Sequence, residues 1–345
     1  MAIIISRYKI LMAMVSVSTP TTAATSPFEL SADQQKRWAP RSNVKGARVS
    51  DGRSTARSYF PLHAKRGLII RDKYRIFAVF GGAGMDQGKS SNTGICALCK
   101  QTRILQNSHL MPKWAYKRLQ KTPLGREDPI RVSDGSALYT SEQVTRHLLC
   151  EDCENRFSQR EDYVAEITKI DANGNLKILQ GIKRLNAPER FLIELDNSID
   201  AEKLAYFSAS IIWRAGAMGL DCRLGLYEPE FRGYLLGNAD FPASAAVGMA
   251  LLESSLLIAN PENWVSLPSS VHAYPVWIHG FIVCGLAFRC HVGRALDPKM
   301  KHVCLVRANP KKYAALLPAD KLGDFRAVFD KLASAIPRGK LAGKP

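Results

Sequence analysis

The sequence predicts an α+β protein in three parts, and three observations carry that prediction. Two C-x-x-C pairs, Cys96/Cys99 and Cys150/Cys153, mark a zinc-binding module over residues 91–165. After it, residues 166–345 mix helix-like and strand-like apolar patterns in a stretch long enough to build its own core. Before it lies a basic segment, residues 1–90, in which the run from Ser18 to Ser58 is rich in Ser, Thr, Ala, Pro and Arg. Few apolar positions there are periodic. Such a run cannot bury enough surface to offset its ordering entropy, so the segment is expected to be largely disordered.

Charge separates the same three parts. The 345 residues carry a formal charge of +17 and a sequence pI near 9.6. Residues 1–90 hold 15 basic and 5 acidic residues, a surplus of ten. Residues 91–165 hold 11 and 9, and residues 166–345 hold 22 and 17. A basic chain favours an acidic partner, with nucleic acid first and anionic membrane second. No run approaches the roughly 18 uninterrupted apolar residues of a membrane helix. The apolar stretch after Arg7 and Lys9 is short, is interrupted by Ser16 and is followed by no A-x-A site, so a cytoplasmic protein is expected.

Residues Ala83 to Ser90 fit a relaxed phosphate-loop pattern, A-x-x-x-x-G-K-S. A working phosphate loop needs a helix starting at the Lys, and Ser91-Asn92-Thr93-Gly94 leaves no room for one before the first Cys pair. The run therefore reads as a flexible glycine-rich linker. A product starting at Met85 would open just before the Cys pair, and the change of composition there makes that start a live reading.

The cysteines carry the strongest signal. Two C-x-x-C pairs can bring four thiolates to one tetrahedral ion. The 51 positions from Cys99 to Cys150 exceed the spacing of a simple ribbon, so an insertion must separate the two knuckles. Cys222, Cys284, Cys290 and Cys304 lack ligand spacing and read as buried apolar residues.

Between and around the pairs run Asn107-Ser108-His109-Leu110-Met111-Pro112-Lys113, then Thr145-Arg146-His147-Leu148-Leu149, then Glu154-Asn155-Arg156-Phe157. This arrangement resembles the HNH endonucleases and their ββα-metal, treble-clef relatives. It is similar in particular to a branch reading C-x-L-C, S-H-x-x-P-K and L-C-x-x-C-E. The likeness covers roughly residues 94–165, under a quarter of the chain. It implies a structural Zn²⁺ on Cys96, Cys99, Cys150 and Cys153, and a general base at His109. Ser108 stands where the family has a metal-binding Asp, and Thr145 stands near the Asn that orients the base. Glu154 replaces the last metal-binding His.

A carboxylate suits Mg²⁺ or Mn²⁺. Glu161 lies two helical turns beyond Glu154, so both can face the strand bearing His109 and hold a catalytic ion. Plainer readings stand beside this one. Glu154 can complement a helix dipole, Glu161 can pair with a nearby base, His109 can be a packed residue, and His147 reads as a strand residue. Arg103, Lys113, Lys117, Arg118, Lys121, Arg156 and Arg160 surround the motif, and Lys113, Lys117, Arg156 and Arg160 are the candidate phosphate contacts.

In the C-terminal half, Leu204, Phe207, Ile211, Ile212 and Trp213 recur at helical spacing within Ala201–Leu220. Leu204 to Arg214 also resembles the companion domain of the same HNH-like branch. Arg214, set in that apolar stripe, either salt-bridges inward or contacts a ligand. Pro229–Leu236 reads as a short helix. The runs 249–252, 256–259, 276–288 and 303–306 read as strands, with a turn at His279-Gly280, and 311–336 reads as two closing helices. Trp213, Trp264 and Trp277 read as core. The half carries no catalytic constellation, and substrate selection, partner sensing or homodimerisation are its open roles. Two function classes follow: a metal-dependent nuclease on DNA, ahead of RNA, and a non-catalytic zinc module binding nucleic acid or protein in a mobile-element or defence system. Ser108, in place of the metal-binding Asp, favours the second.

Overall fold

The computed structural model describes residues 3–5, 92–122, 125–126, 128–133, 135–185, 191–255, 258, 260–306, 310–322 and 334–342. They belong to one compact unit, and residues 20–89 lie outside the description. The glycine-rich run 83–90 and most of the basic segment therefore fall outside it too, as do most of 256–259 and residues 323–333. One piece of the basic segment is described, and it is a strand. β1 (Ile3–Ile5) is three consecutive β-branched residues and pairs antiparallel on both sides.

The fold mixes helices and sheet. Its first layer is a three-stranded sheet of β2 (Thr93–Ile95), β3 (Thr102–His109) and β8 (Thr145–Cys150), in the order β2-β3-β8. Helix α2 (Glu151–Ile167) follows β8 directly, with Cys150 as its extended N-cap. Glu151, Asp152 and Glu154 fill its first turn, where carboxylates complement the positive end of the helix. Helix α1 (Lys113–Gln120) lies between β3 and β8 in sequence. It buries Ala115, Tyr116 and Leu119 and exposes Lys113 and Lys117.

Helix α3 (Ala201–Ala217) is the centre of the molecule. Asp200 caps it by accepting from the Lys203 N–H at 3.0 Å. Its apolar residues run all the way round, which is the pattern of a helix buried on every side. On one side Trp213 and Tyr206 meet Phe157 of α2 edge-on, at 6.2 and 6.0 Å. On another, Phe207 meets Phe281 and Phe288 at 6.0 and 5.7 Å. Those two rings belong to β14 (Val276–Val283) and β15 (Leu286–Val292) of the large sheet. One hydrophobic cluster accordingly runs from Leu98 and Leu110 through Phe157 and Trp213 to Leu316.

Among the described residues the large sheet has twelve strands. β11 (Ala245–Glu253) pairs antiparallel with β15 and parallel with β16 (Lys312–Pro318). Helix α4 (Glu228–Leu236) ends at Gly237, whose left-handed backbone (φ 76°) closes the last turn.

Four local expectations need correction. Residues 312–318 form a strand where a helix was expected. Ala314 and Leu316 are buried between half-buried neighbours, and pairing with β11 overrides the helix propensity of an Ala-Leu run. Residues 303–306 are turns and irregular backbone instead of a strand, with Leu305 tied to Val247 by one main-chain bond. His279 and Gly280 lie inside β14, in register with Cys290 and Arg289, and form no turn. Trp277 is 44% exposed and stacks on His272 at 4.6 Å, whereas Trp213 and Trp264 are core. No helix among the described residues is long and apolar enough to cross a membrane.

Candidate metal centre and adjoining polar site

Cys96 and Cys99 sit on the turn between β2 and β3. Lys100 closes that turn with a left-handed backbone (φ 62°), and its N–H reaches the Cys96 carbonyl at 2.9 Å. Cys150 ends β8 and Cys153 lies in the first turn of α2. A register shift holds the two knuckles together. Gln106 pairs with Leu149 but Asn107 pairs with His147, so Leu148 is left out of the ladder. Its carbonyl is thereby free to accept from the Ala97 N–H at 3.0 Å, which ties the first knuckle to β8.

The four sulfur atoms lie within 4.8 Å of one another. Tetrahedral Zn–S bonds of about 2.3 Å require sulfurs about 3.8 Å apart, and the Cys99 and Cys150 sulfurs are 3.8 Å apart. Cys96, Cys150 and Cys153 are buried and Cys99 is half-buried, and none is in a disulfide. The Cys150 N–H donates to Cys96 Sγ at 3.3 Å. Burial alone would raise the Cys96 thiol, but main-chain N–H groups bring it down to about 7. Burial and the neighbouring sulfurs push Cys150 and Cys153 upward, because thiolates this close repel one another. A dication relieves that repulsion, so the donor set and spacing fit a metal ion such as zinc. Cys222, Cys284, Cys290 and Cys304 are buried elsewhere, as expected.

The second polar site lies along α2. Ser108 is fully buried, and its hydroxyl donates to Glu154 Oε2 at 2.8 Å. Burial pushes the Glu154 carboxyl up, while the Arg214 charge and the Ser108 hydroxyl pull it back. Glu161 forms an ion pair with Arg214, whose side chain is 1% exposed. The same guanidinium donates to the His109 carbonyl at 2.8 Å and lies 5.3 Å over the Phe157 ring. His109 itself is half-buried. Burial, with help from the Lys113 and Arg214 charges, holds its pKa below the ordinary histidine value. Thr145 sits directly across the ladder from His109.

Ser108, Glu154, Glu161 and His109 are therefore linked by hydrogen bonds and charge, through Arg214. Among the described residues, only the four cysteines bring three or more ligand atoms that close together, and His109, Glu154 and Glu161 do not. Arg214 is the residue that motif reading left undecided. Its signal was an arginine at the end of Ile211-Ile212-Trp213, since an arginine on a buried face requires a partner.

The basic residues divide in two. Arg118 is turned inward, donating to the Thr168 carbonyl at 2.7 Å, and Arg103 lies 3.9 Å from Asp152. Lys113, Lys117, Lys121 and Arg156 are exposed. Arg160 is half-buried over Tyr206, at 4.6 Å. His147 is an exposed strand residue. No family model, no curated protein and no solved structure matches this chain significantly.

Proposed function

We propose that residues 92–167 form a zinc-stabilised treble clef of the HNH type that binds nucleic acid without cleaving it. The observation that carries this reading is the internal pairing of both candidate metal carboxylates. Ser108 donates to Glu154, while Arg214 pairs with Glu161 and with the His109 carbonyl. A divalent cation at those carboxylates would meet a buried guanidinium of like charge in a low-dielectric setting. Cys96, Cys99, Cys150 and Cys153 would hold the zinc, which supplies a structural cross-link between knuckles 51 positions apart. Exposed Lys113 and Lys117 stand one turn apart on α1, and exposed Arg156 adds a charge on α2. With the overall charge of +17, these support phosphate contact, and duplex DNA is the first partner to try.

A gel-shift series at rising salt, run with Mg²⁺ or Mn²⁺ present, tests the proposal. Binding should weaken steeply with salt while the DNA is recovered uncut. Cleavage by the wild type, lost in His109→Ala, would overturn it in favour of a metal-dependent nuclease. One observation favours that second reading: His109 is half-exposed and held toward the neutral form that a general base needs.

A further inference from the structure

A cleft of about 740 Å³ opens where α2, α3 and the end of α4 meet, on a different side of α2 from Glu154 and Glu161. Its size falls within the range of small-ligand sites. Arg156 and Arg160, one turn apart on α2, line it together with Tyr206, Tyr234, Phe241 and Glu202.

The hydroxyls of the two tyrosines are already committed. The Tyr206 hydroxyl donates to the Leu235 carbonyl at 2.6 Å, and the Tyr234 hydroxyl donates to Glu202 Oε1 at 2.7 Å. What the cleft offers is therefore ring surface, the Arg156 and Arg160 guanidinium groups and the carboxylates of Glu202 and Asp240. The Arg160 guanidinium carbon lies 4.6 Å from the Tyr206 ring centre. Its Nη1 donates to the Gln159 side chain at 3.0 Å and to the Arg156 carbonyl at 3.3 Å. The side of that guanidinium turned away from the ring offers a contact surface for a planar ligand. The Arg156 guanidinium is exposed and pairs with no carboxylate among the described residues. It packs beside Gly237, where a Cβ would lie 3.5 Å from Arg156 Nη1. Glycine there serves the left-handed turn, and a Cβ would make only ordinary contact with the arginine.

The charges of the cleft cancel: Arg156 and Arg160 face Glu202 and Asp240. It is therefore a poor general trap for anions. It suits a ligand that combines an anionic group, a planar ring and ring N–H donors. We propose that this cleft binds a nucleoside monophosphate, with the phosphate on Arg156, the base against Arg160 and flanked by Phe241, and an N–H of the base donated to Glu202. The proposal stands on the cleft alone and does not require the zinc module to bind a polymer.

Calorimetric titration of the full chain with AMP, GMP, CMP and UMP tests it, with inorganic phosphate and the matching nucleosides as controls. At least one nucleotide should bind with a Kd below about 1 mM. Phosphate alone and nucleoside alone should each bind at least about tenfold more weakly, and Arg156→Ala should weaken the nucleotide by at least about tenfold, as expected when a charge-assisted contact is lost. Arg156 is exposed, so the variant keeps its fold, which circular dichroism verifies. Absence of nucleotide binding, equal binding of phosphate alone, or an unchanged Arg156→Ala would overturn the proposal. A short 5′-phosphorylated oligonucleotide that displaces the nucleotide identifies a strand end as the source. Failure to displace it identifies the free nucleotide. Lys113→Ala, outside the cleft, should leave nucleotide affinity unchanged while weakening DNA, which separates this site from the zinc module's function.

Discussion

Two clusters of acidic groups flank α2, and they meet the problem of buried negative charge in opposite ways. At the four cysteines the thiols crowd within 4.8 Å of one another. That arrangement suits an ion from outside. Around Glu154 and Glu161 the cation belongs to the chain itself: Arg214, 53 positions beyond Glu161, enters from α3 and is 1% exposed. The comparison shows that two carboxylates at a familiar position do not by themselves define a metal site. What decides is the element packed against them, and here a buried helix brings an arginine.

Four changes would break or sharpen that contrast. Removing metal from the cysteines with a chelator should have the largest effect. Binding energies at four-ligand zinc sites reach about 10 kcal/mol, comparable to the whole stability of a domain. Hydrogen exchange should accelerate across residues 92–167 first, and Cys153→Ser should do the same. Next is Arg214→Met, which leaves Glu161 buried without its partner and should cost about 3–5 kcal/mol in chemical denaturation. Pairing it with Glu161→Gln should recover much of that loss. Retained stability in Arg214→Met alone would mean that the buried pair does not hold the site.

A smaller effect concerns pH. Burial lowers His279 to about 4, and its Nε2 has no hydrogen-bond partner among the described residues. A histidine whose folded pKa is depressed contributes stability above its unfolded value near 6.5 and loses it as pH falls toward 4. On the order of 3 kcal/mol should disappear over that window. His109 and His291 are lowered as well and add to the same slope. Denaturation midpoints measured from pH 7 to 4 should flatten in His279→Gln, unless His279 is not the group responsible. The smallest effect is expected from Ser108→Ala. Losing one hydroxyl donor to a partly buried carboxylate should cost about 1–3 kcal/mol, and Glu154 should titrate at higher pH in a carboxylate NMR series.

The two clusters also differ in how far the sequence revealed them. The cysteine centre was legible because a metal site needs ligands of one chemical type at short, repeated spacing. Helix α2 was legible too, since the second pair leads straight into it. The long helix over residues 201–217 followed from its apolar period. The Arg214 cluster was only half visible. An arginine in an apolar stripe signals an inward partner, but its contacts, 53 and 105 positions away, are a tertiary property. The strand at 312–318 departs from the expected helix for the same kind of reason. Ala and Leu carry helix propensity, and only pairing on both sides, with β11 and with residues Leu192–Leu195, makes them a strand. Trp277 departs from the expected core because aromatic character does not distinguish a core strand face from the exposed face of a hairpin.

The most direct test is metal analysis of the purified chain after equilibration with excess Zn²⁺ and Mn²⁺ and removal of free ions. One zinc per chain and no bound manganese are expected, with the zinc lost in Cys96→Ser and retained in Glu154→Gln. A bound manganese that disappears in Glu154→Gln or Glu161→Gln would contradict the assignment, because it would mean that a divalent ion can share those carboxylates with Arg214.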